Sequence, residues 1–165
     1  MELTPAYTDE FIQSVLDQYS NMVYRLALSQ TKNRADAEDV FQEVFLRLIR
    51  QKKPFQSEEH VKAWLIRVTV NCSRSLFASS WFQRTVPLDD SLQFESKEDG
   101  VLFAAVQALP CKYRAVIHLY YYEGYSTDEI AGILSIKPAT VRSQMARGRK
   151  LLKEQLGGSR DAESI

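Results

Sequence analysis

The sequence predicts an all-α protein made of two small helical domains joined by a flexible acidic linker, with a helix-turn-helix in the C-terminal domain. Three features of the chain lead to this. Apolar residues recur at helical three- and four-residue steps with no strand-like alternation, charge is segregated into blocks, and one long stretch without periodicity separates two periodic ones. With 165 residues, 45% hydrophobic and 11% aromatic, the chain fits one ordinary domain or two small ones, and is neither disordered nor collagen-like in composition.

The first helix is expected from about Asp9 to Gln30, where Phe11, Ile12, Val15, Leu16, Tyr19, Met22, Val23, Leu26 and Ala27 form one apolar stripe. A second runs from about Ala35 to Arg50 on Val40, Phe41, Val44, Phe45 and Leu48, and Pro54 follows as a breaker. A third runs from about Glu59 to Phe77, with Val61, Trp64, Leu65, Val68, Cys72 and Leu76 inward. That arithmetic puts Trp64 in the core. The segment Phe55-Gln-Ser-Glu-Glu-His60 reads as a polar loop. The domains are set at 1–78 and 101–158, with a linker at 79–100 and a tail at 159–165. In the second domain a short helix from Val101 to Leu109 stops at Pro110, and another from Lys112 to Tyr122 ends at Gly124. Ser126-Thr-Asp-Glu129 is a capping box that starts a helix lasting to about Leu134. Ser135-Ile136-Lys137 then makes a turn, Pro138 opens the last helix, and Gly157-Gly158 ends it.

The 21 Lys+Arg balance the 21 Asp+Glu, yet the mean hides three surfaces. From His60 to Arg84 the charges are Lys62, Arg67, Arg74 and Arg84. Thr85 to Asp99 holds Asp89, Asp90, Glu95, Glu98 and Asp99 against Lys97. Lys137 to Lys153 carries Lys137, Arg142, Arg147, Arg149, Lys150 and Lys153 without one carboxylate. A surface helix that forgoes Glu–Lys pairs, each worth about 0.2–0.5 kcal/mol, is suited to a negative partner. At 100° per residue Val141, Met145, Gly148 and Leu152 face inward, while Arg142, Ser143, Ala146, Arg147 and Lys150 face outward with Lys153 further along. That is the surface a helix laid in the major groove shows to bases and phosphates. Ser135 stands where many such turns have glycine, so the turn is built on a less permissive residue.

On the second helix, Asp39, Gln42, Glu43, Leu46 and Ile49 face outward, either as a docking patch or as a surface covered by another helix. On the third, Arg67, Asn71 and Arg74 lie along one edge with Lys62 a turn earlier; they either track a phosphate backbone or form a solvated edge. The preceding loop has the size and polarity to hold an unstacked base.

Several classes are disfavoured. No run approaches the roughly 18 apolar residues of a membrane span, since Arg67 and His118 interrupt the longest ones. The N-terminus lacks a secretory pattern, so the cytoplasm is expected. The two cysteines, Cys72 and Cys111, and two histidines support neither a disulfide framework nor a metal site, and no cofactor is expected. No nucleophile–base set or phosphate-cradling glycine loop is present, so the chain is expected not to be an enzyme.

From about Tyr7 to Leu156 the order of features resembles the bacterial RNA polymerase sigma factors, specifically the two-domain extracytoplasmic-function group of the sigma-70 family. The resemblance is carried by Ala37-Glu-Asp-Val-Phe-Gln-Glu-Val-Phe45, Trp64-Leu-Ile-Arg-Val-Thr-Val-Asn71, Leu109-Pro-Cys-Lys-Tyr-Arg114, Glu123-Gly-Tyr-Ser-Thr-Asp-Glu-Ile-Ala131 and Thr140-Val-Arg-Ser143. It implies a protein that binds core RNA polymerase and directs promoter recognition and initiation. Asp39, Gln42, Glu43 and Leu46 would dock on the clamp helices of the largest polymerase subunit. Phe55, Gln56, Ser57 and His60, with Lys62, Arg67, Asn71 and Arg74 beside them, would engage the minus-ten element of promoter DNA. Thr140, Arg142, Ser143, Ala146, Arg147 and Lys150 would read the minus-thirty-five element. The linker carboxylates would mimic nucleic acid in the polymerase channel. An anti-sigma factor is the usual restraining partner in that family. The rival reading is a helix-turn-helix regulator whose N-terminal domain dimerises or binds a ligand; it shares the C-terminal motif only.

Overall fold

The computed structural model describes residues 8–31, 33–78 and 97–157. The chain divides into two units, Met1–Thr85 and Val86–Ile165. Residues 79–96 of the expected linker and the expected tail 159–165 lie outside the described residues.

The first unit is built from α1 (Asp9–Gln30), α2 (Arg34–Arg50) and α3 (Glu58–Ala78), each packed on the other two. Thr8 opens α1 by accepting from the Phe11 N–H at 3.1 Å. The last turn of α1 is buried, and its carbonyls are met locally: the Ser29 hydroxyl donates to Leu26 O at 2.7 Å and the Thr31 hydroxyl to Ala27 O at 2.8 Å. Asn33 caps α2, accepting from the Asp36 N–H and donating to the Asp36 carboxylate, both at 2.8 Å, so the helix starts one residue before the expected Ala35.

The inward stripe of α3 is wider than expected. Val61, Leu65, Val68 and Cys72 are buried as predicted, but Trp64 and Leu76 are only half-buried, whereas Ile66, Thr69, Val70 and Ser73 are fully enclosed. The cause is that α3 lies against α1 and α2 together and is covered on two flanks. Its two polar members satisfy themselves: the Thr69 hydroxyl donates to Leu65 O at 2.6 Å and that of Ser73 to Thr69 O at 2.8 Å.

The second unit contains α4 (Lys97–Gln107), α5 (Cys111–Tyr121), α6 (Thr127–Leu134) and α7 (Pro138–Gln155). Residues 97–100, expected in the linker, are instead the first turn of α4; Glu98 and Asp99 are residue types that an N-terminal helical turn favours. That helix ends at Gln107 rather than Leu109, before the restriction imposed by Pro110. Helix α5 is the centre of the unit, with Tyr113 to Leu119 buried without interruption, Arg114 and His118 included. Arg114 donates to Gln107 Oε1 at 3.3 Å, and burial pushes its guanidinium down from the ordinary arginine range.

Gly148 is where α7 crosses α5. A Cβ there would stand 3.0 Å from Ile117 Cγ1, 3.2 Å from its Cδ1 and 3.5 Å from Tyr113 Cβ, all in enclosed side chains. Gly148→Val is therefore expected to destabilise the protein by about 1–3 kcal/mol through overpacking. Thermal unfolding checks this; an unchanged midpoint would mean that the crossing can widen freely.

Candidate functional site

The C-terminal candidate surface begins with the start of α6. The Ser126 hydroxyl accepts from the Glu129 N–H at 3.1 Å, and the Glu129 carboxylate accepts from the Ser126 N–H at 2.9 Å. The Ser126 backbone N–H foremost, with the Ser126 side chain adding to it, holds the Glu129 carboxyl below its usual range. A carboxyl depressed in the folded state contributes stability above its ordinary pKa, and that contribution is lost as pH falls through the depressed value. Ser126→Ala is expected to cost about 1 kcal/mol of stability through loss of the N-cap, whereas Glu129→Gln, which removes the titrating group, should lessen the acid sensitivity of unfolding, as denaturant titrations at several pH values would record. At the other end Ser135 occupies the left-handed region (φ 58°, ψ 44°), so the turn is made without glycine as the sequence requires. Pro138 is the first residue of α7.

On α7 the periodicity is obeyed on both sides. Val141, Met145, Gly148 and Leu152 are buried, and Thr140, Arg142, Ser143, Ala146, Arg147, Lys150 and Lys153 are exposed. The expectation that the cations have no acidic partner needs correction at one position: Arg142 Nη1 lies 3.9 Å from Asp128 Oδ1, both largely in solvent. The partner comes from α6, which no inspection of α7 alone could supply. Arg149, which lies beside that outward row, is half-buried. Its Nε donates to Tyr121 Oη at 2.9 Å, and its guanidinium carbon lies 5.3 Å and 5.9 Å from the Tyr120 and Tyr121 ring centres.

In the first unit the segment expected to be a loop through His60 is a loop only to Ser57; Glu58, Glu59 and His60 form the first turn of α3. Ser57 Oγ accepts from the His60 N–H at 3.1 Å, and His60 Nδ1 accepts from the Gln56 N–H at 3.1 Å. The latter bond requires that nitrogen to be unprotonated. The Phe55 ring meets His60 at 5.1 Å and Trp64 at 5.5 Å, both edge-on. Trp64, half-buried, takes part in this ring cluster. Gln56, Ser57 and His60 are exposed and Phe55 is half-buried. On the neighbouring edge Asn71 and Arg74 are exposed, while Lys62 and Arg67 are half-buried.

On α2 no other described element covers the apolar pair: Leu46 is 43% and Ile49 55% exposed. Asp39 and Gln42 are exposed beside them, and Glu43 is held by Arg47, whose Nε donates to Glu43 Oε2 at 2.9 Å. A groove of about 400 Å³ runs next to this face, lined by Asp39, Val40, Glu43, Arg47, Cys72, Ser75 and Leu76. Burial pushes the Cys72 thiol up, so it stays protonated and packs as a small apolar group. Cys111 is half-buried.

Among the described residues no cluster of His, Cys, Asp and Glu is placed to hold a metal ion, and no helix is long and apolar enough to cross a membrane.

Residues 15–83 match the family model for sigma-70 region 2, and residues 100–152 match that for sigma-70 region 4. The ECF RNA polymerase sigma factor SigE of Mycolicibacterium smegmatis is 34% identical over 152 residues, covering 84% of this chain; the chain spans 59% of that relative's length. The ECF RNA polymerase sigma factor SigM of Bacillus subtilis is 31% identical over 156 residues, covering 86% of this chain and 93% of the relative. Among solved structures, the sigma factor RpoE of Bartonella quintana, crystallised with the anti-sigma factor NepR, shares the fold with a TM-score of 0.77 at 22% identity, covering 93% of this chain and 100% of that one.

Proposed function

Given that this chain belongs to the ECF RNA polymerase sigma factors, we propose that it binds core RNA polymerase through α2, reads the upstream promoter element with α7 and captures the opened downstream element with α3 and its entry loop. The observation that carries this reading is the outward row of α7. Thr140, Arg142, Ser143, Ala146, Arg147 and Lys150 all stand in solvent on the second helix of a helix-turn-helix, the geometry that places side chains at base edges. Arg142 and Arg147 suit guanine edges, and Lys150 suits a phosphate.

In the first unit the exposed Leu46, rimmed by Asp39, Gln42 and Glu43, is the proposed contact with the polymerase clamp helices. The loop at Phe55, Gln56, Ser57 and His60, stiffened by the Ser57 cap and the ring cluster, is the proposed holder of an unstacked minus-ten base. Lys62, Arg67, Asn71 and Arg74 are assigned to the adjoining DNA strand. A stiff loop matters because opening a duplex costs on the order of 1.4 kcal/mol per base-pair step, and a receptor that must first order itself recovers less of it. Polymerase contacts supply the remainder, and the bond chemistry belongs to the polymerase. The work is proposed to take place in the cytoplasm, where the polymerase acts.

RpoE was crystallised with NepR, and the CnrH structure, which shares this fold with a TM-score of 0.68 at 20% identity, contains the cytosolic domain of CnrY. We assign this chain a restraining anti-sigma partner as well, one that covers the α2 patch. A regulator reading accounts for the C-terminal unit only, whereas the region 2 match extends over residues 15–83.

The test is run-off transcription with purified core polymerase on genomic fragments, with and without this protein. Directional initiation at a shared two-part sequence is expected. Binding to symmetric operators as a dimer, with no dependence on polymerase, would overturn the assignment.

A further inference from the structure

Arg149 is the one cation of α7 that is built into the fold rather than left in solvent, and the way it is held is informative. At 100° per residue, Arg142, Arg149 and Lys153 fall within about 40° of one another. They form a row along one edge of the groove-facing surface, and Arg149 ties that edge to α5. Arg142 has its charge partly answered by Asp128. Among the described residues Arg149 has no ion pair; its recorded partners are two tyrosines, which hold a guanidinium in place without neutralising it.

A guanidinium carries five N–H donors in a fixed fork. The Nε–H is used on Tyr121 Oη and the ring faces flank the group, so the donors that remain belong to the two terminal amino groups, the pair that engages a phosphate bidentately. Tyr121 is also 39% exposed, which its packing role does not require.

We propose that Arg149, oriented by Tyr120 and Tyr121, is a DNA-phosphate site at the edge of the recognition helix, which sets how far α7 turns into the groove. Arg149 is the ligand for the phosphate; Tyr121 is a positioning residue. This rests on the reading of α7 as a DNA-contacting helix, and adds to it a contact that carries no sequence information.

The experiment uses the holoenzyme, on the promoter fragment found by run-off and on the same fragment with its upstream element scrambled, with affinity followed against salt. Arg149→Ala should weaken both complexes equally, by about tenfold, and flatten the slope of log K against log salt by about one unit. Arg149→Lys should restore the slope but only part of the affinity, because an ammonium cannot present the fork. Tyr121→Phe, which keeps the ring and removes the acceptor, should weaken both complexes by about threefold. An unchanged salt slope in Arg149→Ala, with a lowered unfolding midpoint, would reduce the cluster to a helix clamp and overturn the proposal. So would a loss confined to the matched fragment, which would make Arg149 a base reader. The ratio of matched to scrambled affinity in Arg142→Ala and Arg147→Ala tests the underlying reading separately. If that ratio does not move, the recognition-helix assignment fails, and the phosphate site with it.

Discussion

Leu46→Glu is expected to abolish co-elution of the protein with core RNA polymerase while leaving its unfolding midpoint unchanged. Leu46 is nearly half exposed and no other described element covers it, so the first unit loses little packing when the leucine goes. The core of that unit lies on the opposite side of α2, on Val40, Val44 and Leu48. Docking is another matter. An apolar residue at the centre of a small interface typically contributes about 2 kcal/mol or more, roughly a thirtyfold change in affinity. The replacement also has to lose its hydration at the interface, next to the carboxylates of Asp39 and Glu43. Ile49→Glu, on the same face, should act in the same direction. Full co-elution of Leu46→Glu would place the polymerase contact elsewhere on the molecule.

The second large effect is expected at the upstream promoter element. Arg142→Ala and Arg147→Ala should each weaken its recognition by about 1–3 kcal/mol without affecting polymerase association. The structure makes the two unequal. In the free protein Arg142 lies near Asp128, and an exposed pair of this kind is worth about 0.2–1 kcal/mol. Bringing Arg142 to a base edge gives that up, so its net contribution is the smaller one. Arg147 has no such partner among the described residues, and its loss should be the more severe. Asp128→Asn should strengthen promoter binding slightly, by releasing Arg142 and removing a negative charge from the DNA side. Footprints read the outcome directly: unaltered protection of the upstream element in Arg147→Ala would reject α7 as its reader.

Much of this surface is legible in the chain because the determinants are local. The bounds of α1 and the buried stripe of α7 follow from residues spaced three and four apart. The α6 cap needs only Ser126 and Glu129, and the left-handed Ser135 is implied by the brevity of the turn between two well-marked helices. Helices α2 and α3 each start one residue before the point that apolar periodicity predicts, because Asn33 and Ser57 cap them. The burial of Arg114 and His118 is not legible in the sequence for another reason. A charged side chain enters a core only when its surroundings accommodate it, and Gln107 lies on a different helix.

What the amino-acid order determined by itself is the set of helices, where most of them stop, and which side of each is apolar, since these depend on atoms within a turn or two of one another. Tertiary structure alone decided that α3 is enclosed on two flanks, that Leu46 and Ile49 are left uncovered, that Asp128 reaches Arg142, and that Tyr121 takes hold of Arg149 from 28 positions away. Those outcomes depend on how neighbouring helices pack, and no periodicity within one helix encodes its neighbour.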